Sequence, residues 1–190
     1  MNISPVLELI GWISVRASIS FVYLFAFYKN TANTAAREWL VEHTAYMFPS
    51  VPEPRRTELA KVCAFMGAAM MLVGALMVLL GIEGRIGALL LLGFTAVGIY
   101  QHKRECEVAM SLGDKLASQV PASAKGDLTT LQWSGFSGNY SSGLKNWALC
   151  GICIAVFCWG TGPSVGQKGS GPYRITVSDR IVPGILGLHE

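Results

Sequence analysis

Long apolar runs separated by polar connections dominate the pattern of this chain. The four runs are 9–28, 62–82, 86–101 and 146–165. About 20 apolar residues cross the hydrocarbon core of a bilayer as a helix, so each run predicts a transmembrane helix. Only Glu83, Gly84 and Arg85 separate the second run from the third, which predicts a tight helical hairpin. The predicted fold class is all-α: an integral membrane four-helix bundle in one domain, 1–190, with a C-terminal tail at 166–190.

Two longer connections carry apolar residues of their own. Thr34 to Phe48 has an amphipathic pattern that predicts a helix, with Trp39 on its apolar side. Between the third and fourth runs, three aromatic residues punctuate a Gly/Ser-rich stretch: Trp133, Phe136 and Tyr140. Aromatic side chains favour the headgroup level. Both segments are therefore expected to lie on the membrane surface, or else to be ordinary loops packed on the helix ends.

Composition supports a membrane protein and argues against nucleic-acid binding. Hydrophobic residues make up 52% of the 190 residues and charged residues only 14%, against about a quarter in soluble domains. The net charge of +3 is small and its basic residues are scattered. Most Lys and Arg residues lie in the two long connections, which predicts that these connections are cytoplasmic. The first run holds an arginine and follows no basic segment, so it is expected to be a retained helix rather than a signal peptide.

Arg16 is the unusual residue of the first run. A charge within a span is costly and is a functional candidate by default. Ser20 and Tyr23 follow it at helical spacing, and the polar stripe that they form could face the bundle interior and hold an anionic or quinone-like ligand. The alternative is that Arg16 snorkels to the nearer helix end or pairs with Glu8.

Cysteine and histidine positions limit the chemistry that is expected. Cys150 and Cys153 have redox-motif spacing, but they lie inside a predicted span, so small apolar filling is the favoured interpretation. Cys106 follows a basic stretch and is the more plausible reactive thiol. The three histidines all lie outside the spans, and we expect no haem, metal or covalent cofactor.

Small residues recur along two of the predicted helices. Gly67, Gly74 and Gly81 lie seven residues apart, and Ala148 to Ala155 carries a second stripe. Small residues let membrane helices approach closely. Both stripes predict helix packing rather than chemistry.

Three stretches resemble the DoxX-like family of small four-helix bacterial membrane proteins. They are the segment from Arg16 to Lys29, the hairpin from Gly67 to Gly93, and the segment that begins at Lys145 and ends at Ser164. The region before the second helix and the turn after the fourth depart from the family pattern. The resemblance implies a bacterial inner-membrane location and a role in a redox complex, since the family includes the membrane subunit of a thiosulfate:quinone oxidoreductase. By the same resemblance, Arg16 and Tyr23 are the expected ligand contacts, with Lys29 at the interface end of the stripe that also contains Ser20.

Two functions are expected from these features. The first is a quinone-linked membrane subunit of a redox complex, with quinone as its ligand and other membrane subunits as partners. The alternative is a non-catalytic accessory or scaffolding subunit of a larger membrane complex. The missing cofactor ligands and the aromatic-rich connections favour this alternative.

Overall fold

Five helices form the part of the chain that the computed structural model describes, residues 5–160. They are α1 Pro5–Thr31, α2 Thr34–Ala45, α3 Arg55–Leu80, α4 Gly84–Ala117 and α5 Lys125–Trp159, with a short 3₁₀ turn Ala122–Ala124 before α5. Four of them, all except α2, are long and apolar enough to cross a membrane. The predicted all-α membrane bundle is confirmed. The end of the fourth predicted run and the tail at 166–190 lie outside the described residues.

Helix α3 and helix α4 form the predicted hairpin. Gly81 ends α3 in the left-handed region, at φ 68°, a conformation that glycine adopts without a Cβ penalty. A Cβ built on Gly74 would lie 2.9 Å from the carbonyl oxygen of Gly87, so the two backbones touch. The glycine stripe of α3 therefore does pack against a neighbouring helix.

The core lies where α1, α3, α4 and α5 meet. Its buried members include Ile19, Met71, Ala75 and Leu91. Helix α1 packs on α3, α3 on α4, and α4 on α5, while α2 lies across α3 and the end of α1. The predicted amphipathic helix is thus present, ending at Ala45 rather than at Phe48.

The second small-residue stripe does not pack as predicted. Nothing lies within 4 Å of a Cβ built on Gly151, and the side chain of Ala148 is exposed. The stripe lines an open groove between α1 and α5, whose other wall carries Trp12 and Val15. Among the described helices, this face of α5 has no close neighbour.

Helices α4 and α5 continue far beyond the bilayer. Helix α4 has 34 residues, about 51 Å, while the hydrocarbon core is about 30 Å thick. Counting about 20 residues from Gly84 places the hydrocarbon boundary near Lys103, and counting back from Gly160 places it near Tyr140 on α5. Residues 104–139 therefore form an extramembrane hairpin about 20 Å tall. We call its side of the membrane the hairpin end, and the side of Gly81 and Glu83 the turn end.

This extramembrane hairpin corrects the sequence-based interpretation. The Gly/Ser-rich stretch around Trp133 was expected to be a surface loop, but it is helical. Small residues allow a close approach there: a Cβ on Gly113 would overlap the side chain of Gln132, and one on Gly135 would lie 3.5 Å from Cβ of Ala109. Packing between the two helices outweighs the low helix propensity of glycine and serine.

Candidate functional site

Arg16 is buried inside the bundle but close to its turn end. Its side chain is only 3% exposed. A Cβ built on Gly81 would lie 2.8 Å from its Nη1, so the guanidinium lies against the α3–α4 turn. The charge therefore combines features of both sequence-based alternatives, because it faces inward and also reaches the level of a helix end. This depth accommodates an arginine far better than the middle of the hydrocarbon would.

Ser20 and Tyr23 lie on the same buried face of α1, deeper in the bundle. Ser20 Oγ donates to the carbonyl of Ala75 at 2.9 Å. Tyr23 Oη lies 2.5 Å from Oγ1 of Thr95 and 3.4 Å from Sγ of Cys153. Thr95 Oγ1 in turn donates to the carbonyl of Leu91 at 2.6 Å.

The donor and acceptor in each hydrogen bond among Cys153, Tyr23, Thr95 and Leu91 follow from counting the available protons. The carbonyl of Leu91 can only accept, so Thr95 uses its one hydroxyl proton to donate to that carbonyl. Thr95 must then accept from Tyr23, and Tyr23 must accept from the thiol of Cys153. The chain runs from Cys153 through Tyr23 and Thr95 to Leu91 and ends on backbone. Its polar atoms therefore bind α1, α4 and α5 to one another.

The predicted stripe thus satisfies its hydroxyl groups within the protein. Lys29 lies apart from it, exposed in the last turn of α1 at the hairpin end. The structure brings Arg16, Ser20 and Tyr23 to one face, and it does not bring Lys29 to them. Their role as ligand contacts stays a prediction.

A groove between α4 and α5 straddles the hydrocarbon boundary at the hairpin end. Its volume is about 620 Å³. The wall from α4 includes His102 and Cys106, and the wall from α5 includes the rings of Phe136, Tyr140 and Trp147. Phe136 and Tyr140 stack with centroids 5.8 Å apart, and Trp133 meets Phe136 edge-on at 5.5 Å. The groove offers an apolar, aromatic surface with one imidazole on its wall.

A buried carboxylate stands behind that imidazole. Glu105 is only 6% exposed, and its oxygens accept hydrogen bonds from Gln101 Nε2 at 3.0 Å and His102 Nδ1 at 3.1 Å. Nδ1 also lies 3.4 Å from Oδ1 of Asn139 on α5. Both neighbours of Nδ1 are acceptors, so Nδ1 carries the proton and Nε2 is left for other partners.

Electrostatics favours the ionised form of this carboxylate. Burial raises the pKa of Glu105, but the hydrogen bonds from His102 and Gln101 outweigh burial, and its pKa lies below the ordinary value. A carboxylate that is buried and ionised holds the imidazole in one tautomer and one orientation. The sequence analysis treated this region only as a basic stretch. The signal that it missed is the His102, Glu105, Cys106 spacing, which places all three on one side of a helix that continues beyond the span.

The cysteines are free thiols, and the four on α4 and α5 fall into different environments. Cys106 is buried and donates weakly to the carbonyl of Phe136 at 3.5 Å. Burial, followed by the charges of Glu105 and Glu107, raises the pKa of Cys106, so the thiol form dominates at neutral pH. Its reactivity stays a prediction that this environment does not favour. Cys150 and Cys153 are both buried in α5, consistent with apolar filling, whereas Cys158 is exposed.

Comparisons with known proteins add no assignment. No protein-family model matches the chain, and neither a curated protein nor a solved structure matches it. Across residues 5–160, no group of three or more His, Cys, Asp or Glu side chains is placed to hold a metal ion. Any function is therefore argued from the geometry and from the sequence resemblance.

Proposed function

We propose that this protein is a quinone-binding membrane subunit of a redox complex, and that the quinone binds in the groove between α4 and α5. The observation that carries the proposal is His102, hydrogen-bonded to the buried Glu105, on the wall of a largely apolar groove at the hydrocarbon boundary. The resemblance to DoxX-like proteins, one of which serves a quinone-linked enzyme, points the same way. Electrons come from a partner subunit, because we assign this chain no haem or metal of its own.

The groove suits both parts of a quinone. The stacked rings of Phe136 and Tyr140 offer a flat apolar surface for the quinone ring. Ile99, Leu144 and Trp147 continue the groove below the boundary, where an isoprenoid tail reaches the lipid. A ligand of this shape keeps its tail in hydrocarbon and its carbonyl groups close to water.

His102 supplies the polar contact. Its Nδ1 is hydrogen-bonded to Glu105, so Nε2 is the ring nitrogen that remains for a ligand. A protonated imidazole donates from Nε2 to a quinone carbonyl, and a neutral imidazole accepts from a quinol hydroxyl at the same atom. The pair can therefore bind either redox form of the ligand.

This proposal moves the ligand away from the residues that the sequence favoured. Ser20 and Tyr23 already spend their hydroxyl groups on Ala75, Thr95 and Cys153. A quinone at Tyr23 would have to displace those contacts, whereas Nε2 of His102 makes no hydrogen bond to any described residue. We therefore propose the groove rather than the stripe of Arg16, Ser20 and Tyr23.

A binding measurement tests the proposal. The full-length protein in mild detergent is titrated with a short-chain ubiquinone and, separately, a short-chain menaquinone, and quenching of tryptophan fluorescence is followed. His102→Ala should weaken binding about two- to tenfold, because a hydrogen bond contributes about 0.5–1.5 kcal/mol. Ser141→Ala changes an exposed side chain outside the groove and should leave affinity unchanged.

Folding must be separated from binding. His102→Gln retains an amide donor and should keep part of the affinity, and thermal melts of all variants establish that they are folded. Equal quinone affinity in wild type and folded His102→Ala would contradict the proposal. Retained affinity in His102→Ala together with loss in Arg16→Gln would return the site to the stripe on α1.

The second candidate is an accessory subunit that contacts partners through the extramembrane hairpin. It is favoured by Trp133 and Tyr140, which are 55% and 56% exposed on the aromatic surface of that hairpin. Bulky exposed aromatics are typical anchors of protein interfaces. Trp133→Ala should then reduce co-purification of larger membrane subunits in gentle detergent. Unchanged co-purification would count against this role.

We further propose a bacterial inner-membrane location with the hairpin end in the cytoplasm. The excess of Lys and Arg in the long connections supports this orientation. The test variant carries one cysteine, at Ser123 in the turn between α4 and α5. The five native cysteines are replaced by serine or alanine: Cys63, Cys106, Cys150, Cys153 and Cys158. This variant should react with a membrane-impermeant maleimide only in inverted vesicles. Labelling in intact spheroplasts would show the opposite orientation.

A further inference from the structure

A second, charged cleft lies at the hairpin end on another face of α4. It has a volume of about 660 Å³ and is enclosed by α2, the start of α3 and α4 just beyond its span. One wall carries cations on α3 and α4: Arg56, Lys61 and Arg104. The α2 wall carries Glu38 and Glu42, together with Arg37. Charges of both signs thus face one space.

The depth of the cleft follows from helix length. Lys61 is twenty residues before Gly81 on α3, and Arg104 is twenty residues after Gly84 on α4. At about 1.5 Å per residue, each lies about 30 Å from the turn end, which is the thickness of the hydrocarbon core. Arg56 lies about 8 Å further out. The cleft therefore occupies the headgroup layer of the bilayer.

The cations of the cleft on α3 and α4 are paired with nearby acids, but some donor atoms on this wall have no partner among the described residues. Arg56 pairs with Glu53 and Lys61 with Glu58, each at 2.7 Å, while Arg104 pairs through Nη1 with Glu107. Nε of Arg104 is nevertheless buried with no hydrogen-bond partner among the described residues. A buried N–H group without a partner is costly and calls for an acceptor.

The two carboxylates of α2 are exposed, and they too lack a partner among the described residues. Neither Glu38 nor Glu42 forms an ion pair or a side-chain hydrogen bond within residues 5–160. They lie four residues apart on α2, on the side that faces the cleft. Two carboxylates at this spacing repel each other, and a cation between them would relieve the repulsion. The cleft therefore offers an N–H donor on one wall and carboxylate acceptors on the other.

We propose that this cleft binds the headgroup of a phosphatidylethanolamine-type lipid. The phosphodiester accepts from the partly exposed guanidinium of Arg104, of which only Nη1 is paired with another described residue, and the primary ammonium donates to Glu38 and Glu42. Guanidinium groups match phosphate oxygens in geometry and charge, and basic pockets at the ends of membrane helices are typical lipid headgroup sites. A lipid is the source, because the cleft lies in the layer that headgroups fill.

This site is separate from the quinone groove. Arg104 and Val108 line the cleft, whereas His102, Cys106 and Met110 line the groove on the other side of α4. The lipid site therefore does not depend on the proposed function. Failure of one proposal leaves the other standing.

Lipid titration monitored by native mass spectrometry tests the inference. The detergent-solubilised full-length protein is titrated with phosphatidylethanolamine, phosphatidylcholine and phosphatidylglycerol of identical acyl chains. Phosphatidylethanolamine should bind at least fivefold more tightly than the other two. Three methyl groups remove the ammonium donors of phosphatidylcholine, and phosphatidylglycerol has no cation for the acidic wall.

Variants of each wall give distinct signatures. Arg104→Gln should weaken phosphatidylethanolamine binding at least fivefold, while Arg55→Gln, an exposed arginine outside the cleft, should have no effect. The double change Glu38→Gln with Glu42→Gln should abolish the preference over phosphatidylcholine. Melting curves must show that these variants are folded.

Three outcomes would overturn the inference. They are equal affinity for the three lipids, preference for phosphatidylglycerol, and identical binding by Arg104→Gln and Arg55→Gln. A competition experiment with soluble glycerophosphoethanolamine serves as a further control. If it displaces the lipid at equal concentration, the cleft recognises a soluble phosphate compound and the lipid assignment is wrong.

Discussion

The hydrogen-bond chain through Tyr23 makes a quantitative prediction about stability. It lies near the middle of the hydrocarbon, since Thr95 is eleven residues, about 16 Å, from the start of α4. Tyr23→Phe removes two hydrogen bonds but orphans only the thiol of Cys153, a weak donor. Thr95→Val instead leaves the phenolic O–H of Tyr23 with only the sulfur of Cys153, a weak acceptor, within reach. Thr95→Val should therefore be the more damaging of the two changes.

The magnitudes follow from hydrogen bonds measured between membrane helices. These average about 0.6 kcal/mol and reach about 1.7 kcal/mol. We expect Tyr23→Phe to lower the free energy of unfolding by about 1 kcal/mol. Thr95→Val should cost about 1–3 kcal/mol, since a buried phenolic donor is left with only a weak sulfur acceptor. The double variant should cost less than the sum, because the phenol that Thr95→Val leaves poorly paired is then absent.

The assay is equilibrium unfolding in mixed micelles of mild detergent and dodecyl sulfate, followed by circular dichroism. Tyr28→Phe is the matched control, because Tyr28 is an exposed tyrosine on the same helix. Additive costs, or equal losses in Tyr23→Phe and Tyr28→Phe, would refute the proposed direction of the chain. Repeating the titration with a short-chain ubiquinone adds a second criterion. If Tyr23→Phe abolishes ligand stabilisation, Tyr23 contacts the ligand after all.

Three further predictions concern packing and pH. Gly74→Ala should destabilise the bundle by about 1–3 kcal/mol in the same unfolding assay, because its Cβ would lie 2.9 Å from a facing carbonyl, while Gly151→Ala, with open space around it, should not. Gly113→Leu should separate the two helices of the extramembrane hairpin, because a leucine side chain there would overlap the side chain of Gln132; faster proteolysis of the hairpin, with the spans still protected, is the expected readout. Because folding lowers the pKa of Glu105, its ionised carboxylate stabilises the fold at pH values above the ordinary pKa of 4.5, and this contribution is lost as the pH falls through the lowered pKa. Thermal stability should therefore drop more steeply below pH 4.5 in wild type than in Glu105→Gln.

Run length and charge placement were sufficient to predict the bundle. Hydrophobic runs specify membrane helices because the bilayer imposes their length, and three residues between two runs leave room only for a hairpin. The amphipathic helix α2 was likewise readable from its pattern. The extramembrane hairpin was not, since Gly135 and its serine-rich neighbours read locally as a loop. Their helix depends on packing against α4, which one sequence does not display.

The candidate sites were harder to predict than the fold. The sequence placed Arg16 within a run but could not give its depth, because depth depends on how α1 is shifted against the α3–α4 turn. His102 and Glu105 looked like members of a charged connection, since burial of Glu105 arises only when α5 covers α4. Polar residues near a span became informative only once their partners on other helices were known.

The tight turn between α3 and α4 also bears on how the protein enters the membrane. When these two helices insert together, the segment that must cross is residues 81–85, with only Glu83 and Arg85 as charged groups. The opposite end would have to carry the many charges of the extramembrane hairpin through hydrocarbon. Translocation of the turn is therefore far less costly. In the orientation proposed above, the α3–α4 pair inserts as one unit and the charged hairpin stays in the cytoplasm.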